Sequence, residues 1–212
     1  MTHDKLRKLL NEMSLDEKIG QLSIMQMSVF LDGDAVPFGP LIEMNFTQEQ
    51  MALTGALACN ISPEPAAFAR VVRKMTAEHP HHIPPLLMRD VIHGFRTIFP
   101  LTLGVGCTFD EKYAYDMGRV SGKEAAASGL HLTLGPMMDV ARDPRWGRVL
   151  ETPSESPVLT GAMSAATVRG FRGDGIDKPN SIATCAKHFA AYGLCTAGQE
   201  YSPVDVSRTE LY

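Results

Sequence analysis

The 212-residue sequence has few cysteines, little excess charge and no long apolar run. Its four cysteines, Cys59, Cys107, Cys185 and Cys195, lack C-x-x-C spacing, which favours reduced core thiols over a zinc site or a disulfide frame. A net charge of −4 gives no reason to expect nucleic acid or an anionic membrane as a partner. No segment has transmembrane length and no basic-then-apolar leader is present, so the cytoplasm is the expected compartment.

Several catalytic signatures are also missing. No G-x-S-x-G elbow, P-loop or H-E-x-x-H motif occurs, and the glycines of Gly104–Gly106 are followed by Phe109 where a dinucleotide fingerprint needs a third glycine. The three histidines of His79–His82 suggest a metal, but the surrounding prolines and the single nearby acid, Glu78, favour a surface loop. We therefore expect no metal and no cofactor.

What the chain does have is an alternation of apolar strands and amphipathic helices. Strands are predicted at Leu22–Met27, Ala56–Ile61, Pro85–Val91, Leu132–Val140 and Ser181–Phe189. Helix starts are predicted at the Ser14/Glu17 capping box, at Ser62–Glu64, at the Thr108/Glu111 capping box and at Ser156–Pro157. This order is typical of an α/β fold with a parallel sheet.

The spacing of these units predicts a (β/α)8 TIM-barrel-like domain. Because such a barrel needs eight strands and only five are visible, we expect residues 1–212 to be the N-terminal part of an incomplete barrel domain. The remaining strands are expected beyond this sequence.

Charged side chains follow three of the predicted strands. Asp90 ends the third, the arginines of Arg142–Arg148 follow the fourth, and Lys187 and His188 end the fifth. In a parallel barrel all would project onto the rim where active sites of this fold lie. One carboxylate with several cations and an imidazole suits a neutral polyhydroxylated ligand.

Each of these groups also has an ordinary structural interpretation. Asp90 could be an ion-pair partner of Arg89 or Arg96, and Lys187 at a strand end could simply be solvated. His188 alone would more often be a hydrogen-bonded core residue than a catalyst. The charge-rich loop of Leu132–Ser156, with the only tryptophan, could be a salt-bridged connection between strand and helix.

Five blocks of the sequence resemble glycoside hydrolase family 3, the β-glucosidase-like enzymes. In chain order they are LLNEMSLDEKIGQL, RDVIHGFRTIFPLTLGVGCTFD, LGPMMDVARDPRWGRVLETPSES, CAKHFAAYG and EYSPVDVSRTELY. The resemblance implies a barrel whose rim binds the terminal sugar at subsite −1. By motif position, it implies that Asp90 accepts from sugar hydroxyls, while Arg148, Lys187 and His188 contact the same sugar and its neighbouring hydroxyls.

The resemblance also implies a function for the whole protein: a retaining exo-β-glycosidase, most simply a β-glucosidase acting on β-glucosides or oligosaccharides. A β-xylosidase and a non-catalytic sugar-binding barrel are the alternatives. The family's nucleophile, on a later barrel strand, and its acid/base, on a following domain, would lie beyond Tyr212, so no catalytic residue is assigned within the chain and the fragment alone is expected to be inactive. The full-length enzyme could be a homo-oligomer.

Two details refine the comparison with the family. The stretch from Lys187 to Gly193 lacks the Pro-Gly-His pattern of the branch that removes N-acetylglucosamine, which favours the β-glucosidase and β-xylosidase branch. Where many relatives have Glu-Asp before a helix, this chain has Glu155-Ser156. Serine is also a good N-cap, so the helix start is expected to survive.

Overall fold

The structure is a computed structural model that describes residues 2–27, 48–59 and 65–211. Its helices are α1 (His3–Glu12), α2 (Leu15–Gly20), α3 (Gln48–Ala52), α4 (Pro65–Glu78), α5 (Thr102–Gly106), α6 (Glu111–Ala127), α7 (Pro157–Arg172) and α8 (Arg208–Leu211). Its strands are β1 (Ile24–Gln26), β2 (Ala56–Ala58), β3 (Leu86–Arg89), β4 (Leu132–Thr133) and β5 (Ala183–Thr184). The predicted α/β alternation is confirmed, while the predicted helix start at Ser62–Glu64 lies outside the described residues.

The chain divides into two compact units, Met1–Arg89 and Asp90–Tyr212. In the first unit β1, β2 and β3 are parallel, with Ile24 opposite Ala56 and Ala56 opposite Leu86. Within the described ranges, no helix is both long enough and apolar enough to cross a membrane.

The first unit buries residues of its strands and one face of α4. Leu57 and Leu87 are fully buried in the strands, and α4 buries Phe68, Val71 and Met75 at the helical spacing seen in the sequence. These side chains form an apolar core, which is why the short strands of this unit hold a fixed register.

The capping box at the start of α2 is confirmed. The Ser14 hydroxyl accepts from the Glu17 N–H at 3.2 Å, and the Glu17 carboxylate accepts from the Ser14 N–H at 2.5 Å. This backbone hydrogen bond from Ser14 lowers the pKa of Glu17.

The surface loop predicted for the three histidines is wrong for His79, which is only 1% exposed. Its ring nitrogens lie 3.4 Å from Gln21 Nε2 and 3.1 Å from the His81 backbone nitrogen, and such partners allow an imidazole to be buried. His81 lies 3.5 Å from Glu17. Among the described residues, no group of three or more His, Cys, Asp or Glu could hold a metal ion.

In the second unit, parallel strands β4 and β5 pair with Leu132 opposite Ala183. Helices α6 and α7 pack closely because glycines face backbone across the contact: a Cβ on Gly170 would lie 2.3 Å from the Tyr115 carbonyl oxygen. Beside this contact, Met117 and Met163 belong to a buried apolar cluster.

Three local predictions for the second unit need correction or shortening. Helix α6 is capped by Asp110, whose carboxylate accepts from the Lys112 N–H at 2.9 Å, and not by the Thr108/Glu111 capping box. The Thr108 hydroxyl instead donates to the Val105 carbonyl oxygen at 2.7 Å, so it is committed to the preceding turn. The predicted strands at Leu132–Val140 and Ser181–Phe189 contribute only β4 and β5. Pro136, which cannot donate to a ladder, interrupts the first run, and the two segments pair again only at the isolated bridge between Met137 and Lys187.

The start and end of α7 are confirmed. The Ser156 hydroxyl accepts from the Leu159 N–H at 3.5 Å, and Gly173 follows the helix with a φ of 52°. All four cysteines are free thiols. Because only Cys59 and Cys195 are buried, the expectation of core thiols is wrong for the exposed Cys107 and Cys185.

Candidate functional site

The structure brings the four predicted sugar-binding residues together in the second unit. Lys187 Nζ donates to Asp90 Oδ1, and an Arg148 guanidinium nitrogen lies 3.5 Å from Nε2 of His188. Since Lys187 and His188 are adjacent in the chain, the two pairs are neighbours. The side chain of Asp90 is 48% exposed, which leaves carboxylate lone pairs open to a ligand.

Backbone hydrogen bonds fix the segments that carry these residues. The Thr133 hydroxyl, buried in β4, accepts from the Val91 N–H at 3.1 Å, directly after Asp90. The Lys187 N–H donates to the Pro136 carbonyl oxygen at 3.0 Å, and its own carbonyl oxygen accepts from the Met138 N–H at 2.7 Å. The segment that follows β4 therefore positions Lys187.

His188 is oriented by a buried acid, Asp139. The Asp139 carboxylate lies 2.9 Å from His188 Nδ1 and also accepts from the His188 backbone N–H at 3.2 Å, and its side chain is 2% exposed. Because a carboxylate only accepts, Nδ1 carries the proton in this pair. In the neutral imidazole this leaves Nε2 as an acceptor.

Arg148 is held by a two-pronged ion pair with Glu151. The guanidinium Nε and a terminal nitrogen donate to the two Glu151 oxygens at 2.9 and 2.8 Å. A terminal nitrogen also lies 3.1 Å from the Met137 sulfur. The hydrogen bond to Glu151 raises the pKa of Arg148, so the group stays cationic.

Two aromatic rings pack behind these side chains. The Tyr192 ring meets the His188 ring edge to face at 4.6 Å between centroids and lies 5.8 Å from the Arg148 guanidinium carbon. Its other neighbour is Trp146, at 5.4 Å. Burial, followed by a hydrogen bond to Glu200, raises the pKa of Tyr192 to about 12. The single tryptophan, 1% exposed, is thus a core residue beneath the site.

The other arginines of the charged loop have different roles. Arg145 makes a two-pronged ion pair with Asp143, at 2.6 Å for the shortest contact, and these hydrogen bonds hold the pKa of Asp143 at about 2. Arg142 and Glu155 are exposed and line a cavity of about 370 Å³ whose lining includes none of the four predicted residues. Of the three arginines, only Arg148 reaches the site.

Sequence reasoning missed most of the residues that position the site. Asp139, Tyr192 and Glu200 had no assigned role, and Glu151 was seen only as part of a charged loop. An acid inside an otherwise apolar run could have flagged Asp139, because buried carboxylates need partners. No comparable signal marks Tyr192, whose position depends on contacts across the folded unit.

The site combines one exposed hydrogen-bond acceptor, the Asp90 carboxylate, with several donors. Asp90 can accept from two hydroxyls, while Lys187 and Arg148 carry fixed positive charge and spare donors. Such a set is complementary to vicinal hydroxyl groups, as in a sugar ring.

Comparison with known proteins gives matches over almost the whole chain. The model described as the glycosyl hydrolase family 3 N terminal domain matches residues 14–212. The periplasmic beta-glucosidase of Salmonella typhimurium is 36% identical, covering 96% of this chain and 25% of that protein. Beta-D-xylosidase 1 of Arabidopsis thaliana is 36% identical over 104 residues, covering 46% of this chain and 13% of that protein.

A solved structure of a mutant beta-glucosidase from Listeria innocua in complex with laminaribiose matches with a TM-score of 0.92 and 38% identity, covering 100% of this chain and 30% of that chain. These matches confirm the predicted α/β, TIM-barrel-like fold, to which the described residues contribute five strands. The chain spans about a quarter of the length of the Salmonella relative. Since that relative is named periplasmic, the predicted cytoplasmic location gains no support and stays a prediction.

Proposed function

The chain belongs to glycosyl hydrolase family 3, and from this membership we propose that the whole protein is a retaining exo-β-glycosidase. Its preferred activity is that of a β-glucosidase, which removes terminal β-D-glucosyl residues from the non-reducing ends of oligosaccharides or β-glucosides. The names of the Salmonella and Listeria proteins support this choice. The Arabidopsis relative makes β-xylosidase the second candidate.

The observation that carries the proposal is the meeting of the Asp90–Lys187 pair with the Arg148–His188 pair. We assign these four residues to the subsite that binds the terminal sugar. Asp90 accepts from sugar hydroxyls, and the cationic groups donate to their neighbours. Because Asp139 and Glu151 fix His188 and Arg148, little reorganisation is needed when the sugar binds.

In a retaining mechanism one carboxylate attacks the anomeric carbon while a second carboxyl protonates the leaving oxygen and later activates water. The four residues of the site are assigned to neither role. In this proposal the nucleophile and the acid/base are supplied by other residues of the whole protein. The residues described here orient the ring and strengthen their hydrogen bonds as positive charge develops on it.

The test is hydrolysis of p-nitrophenyl β-glucoside and β-xyloside by the full-length gene product and its Asp90→Ala variant. Hydrogen bonds to a charged group contribute roughly 1.5–3 kcal/mol each, so losing two should lower kcat/KM about 10²–10⁴-fold. The matched control is Asp116→Ala, which removes an exposed acid paired with Lys112 on α6.

Each result of this test has a distinct meaning. Turnover of the glucoside that is lost in Asp90→Ala and kept in Asp116→Ala supports both the activity and the site. Preference for the xyloside selects the second candidate. No turnover of either substrate by the intact protein points to a non-catalytic sugar-binding barrel and contradicts the proposal.

A further inference from the structure

Glu200 joins the two aromatic residues that lie behind the sugar site. Its carboxylate accepts from the indole Nε1–H of Trp146 and from the Tyr192 hydroxyl, one bond to each oxygen. Trp146 is only 1% exposed, so its indole N–H needs a partner inside the protein. Glu200 supplies that partner from a segment 54 positions further along the chain.

Tyr192 connects Glu200 to the residues of the site. Its ring meets the His188 ring at 4.6 Å between centroids and lies 5.8 Å from the guanidinium carbon of Arg148. We propose that Glu200 is a positioning residue for the reaction: by fixing Tyr192 and Trp146, it holds the His188 imidazole and the Arg148 guanidinium where they meet the sugar. This inference rests on the proposed glycosidase function.

The loop that presents Glu200 is itself anchored. Thr196 bonds the Pro203 carbonyl oxygen twice, through its N–H at 3.1 Å and its hydroxyl at 2.8 Å. Gly198 has a φ of 67°, and a Cβ there would lie 3.0 Å from Asp143 and Arg145 atoms. The close approach of this loop to the Asp143–Arg145 turn therefore requires glycine at position 198. This contact fixes the position of the segment that carries Glu200.

The chemistry of the two donors predicts which substitutions of Glu200 are tolerated. An indole N–H can only donate, whereas a tyrosine hydroxyl can donate or accept. In Glu200→Gln the amide oxygen can accept from Trp146, and the amide NH₂ can donate to the Tyr192 oxygen. Glutamine therefore keeps both bonds without the charge, while Glu200→Ala loses both.

The experiment compares kcat/KM for p-nitrophenyl β-glucoside among variants of the full-length gene product. Misplacement of a positioned group by about 1 Å can cost about 10²-fold, so we expect Glu200→Ala to lose between about 10- and 100-fold. We expect Glu200→Gln to stay within about threefold of the parent. The control is Asp205→Ala, which removes an exposed acid on the same segment and should leave activity unchanged.

A double-mutant cycle with His188→Ala separates positioning from general loss of stability. Because the proposed effect of Glu200 runs through His188 and Arg148, Glu200→Ala should cost less in the His188→Ala background than in the parent protein. An equal loss in both backgrounds, together with a lower Tm, would assign Glu200 to fold stability alone and overturn the inference. Tyr192→Phe, which removes only one hydroxyl, gives a second route if Glu200→Ala does not fold: it should lower kcat/KM, and unchanged activity would contradict the role.

Failure of this inference can be told from failure of the proposed function. An active parent protein whose Glu200→Ala variant matches Asp205→Ala would overturn the role of Glu200 and leave the function standing. An inactive parent protein would overturn both.

Discussion

Lys187 donates a hydrogen bond to Asp90 from 97 positions away in the chain, so the two opposite charges of the site neutralise each other. The pair is asymmetric in exposure, with the Lys187 side chain 18% and the Asp90 side chain 48% exposed. An ammonium has three donors and a carboxylate about four acceptor positions. Each partner can therefore bind a sugar hydroxyl without breaking the bond between them.

The first prediction concerns the charge of Lys187. Lys187→Met keeps the length of the side chain but removes its donors and leaves Asp90 without this partner. At roughly 1.5–3 kcal/mol for a hydrogen bond to a charged group, kcat/KM for the aryl glucoside should fall about 10- to 150-fold. The control is Lys112→Met, which removes an exposed charge on α6. Equal activity of the two variants would remove Lys187 from the site.

The second prediction concerns the orientation of His188. One Asp139 oxygen accepts from both the His188 backbone N–H and Nδ1, and in Asp139→Asn the amide oxygen can take that place and keep both bonds. The proton then stays on Nδ1, and Nε2 stays an acceptor toward the Arg148 nitrogen 3.5 Å away. We expect kcat/KM to fall by less than about tenfold, which corresponds to less than about 1.4 kcal/mol of transition-state stabilisation.

Asp139→Ala provides the comparison for this second prediction. It removes the acceptor of both bonds, so the His188 ring is no longer held and kcat/KM should fall at least about tenfold. Asn should therefore be less damaging than Ala. An Ala variant with parent-like kcat/KM would show that Asp139 does not position His188.

The fold could be predicted from the sequence in its order but not in its details. Apolar runs located all five strands, because burial of a parallel strand leaves a clear pattern. Their lengths were overestimated in the second unit, where Pro136 interrupts the run after β4 and leaves Met137 in an isolated pairing with Lys187. Hydrophobicity does not record which residues join a ladder.

For the candidate site, the sequence indicated only residues that follow a strand or match a family motif. Asp90, Arg148, Lys187 and His188 were named in this way, and the structure places them together, while their roles stay predictions. Glu200 could not be named, since its partner Trp146 is 54 positions away and no local pattern links them. Residues that position the side chains of a site do so through tertiary contacts, and a single sequence does not show which residues make such contacts.

The third prediction concerns the orientation of Arg148. Glu151→Gln replaces one of two charge-assisted bonds, because the amide NH₂ cannot accept from the guanidinium. The plane of the guanidinium is then no longer fixed. We expect kcat/KM to fall about 10-fold, which corresponds to about 1.4 kcal/mol of transition-state stabilisation. Glu155→Gln is the matched control, since this exposed acid lies four positions further on and outside the site. A parallel loss in both variants would indicate a general effect of charge.

The fourth prediction concerns the pH dependence contributed by Asp143. Hydrogen bonds from Arg145 lower the Asp143 pKa from 3.8 to about 2. A carboxyl whose pKa is lower in the folded state stabilises the fold above its unfolded pKa, and this stabilisation is lost as the pH falls through the folded value. The difference in Tm between the parent protein and Asp143→Asn should therefore be constant at neutral pH and shrink between about pH 4 and pH 2.

Arg145, the partner of Asp143, provides a second test of this fourth prediction. Arg145 is 69% exposed, so salt should weaken the pair and reduce the Tm difference at pH 7. In an Arg145→Met background the side-chain bonds are lost, but the backbone N–H of residue 145 still donates to Asp143, so Asp143→Asn should change the acid limb of the stability curve by a smaller amount than in the parent background. If the acid limb responds equally in both backgrounds, the Arg145 side chain is not the main cause of the lowered pKa, and the turn that supports Gly198 and the Glu200 loop is not held by this ion pair.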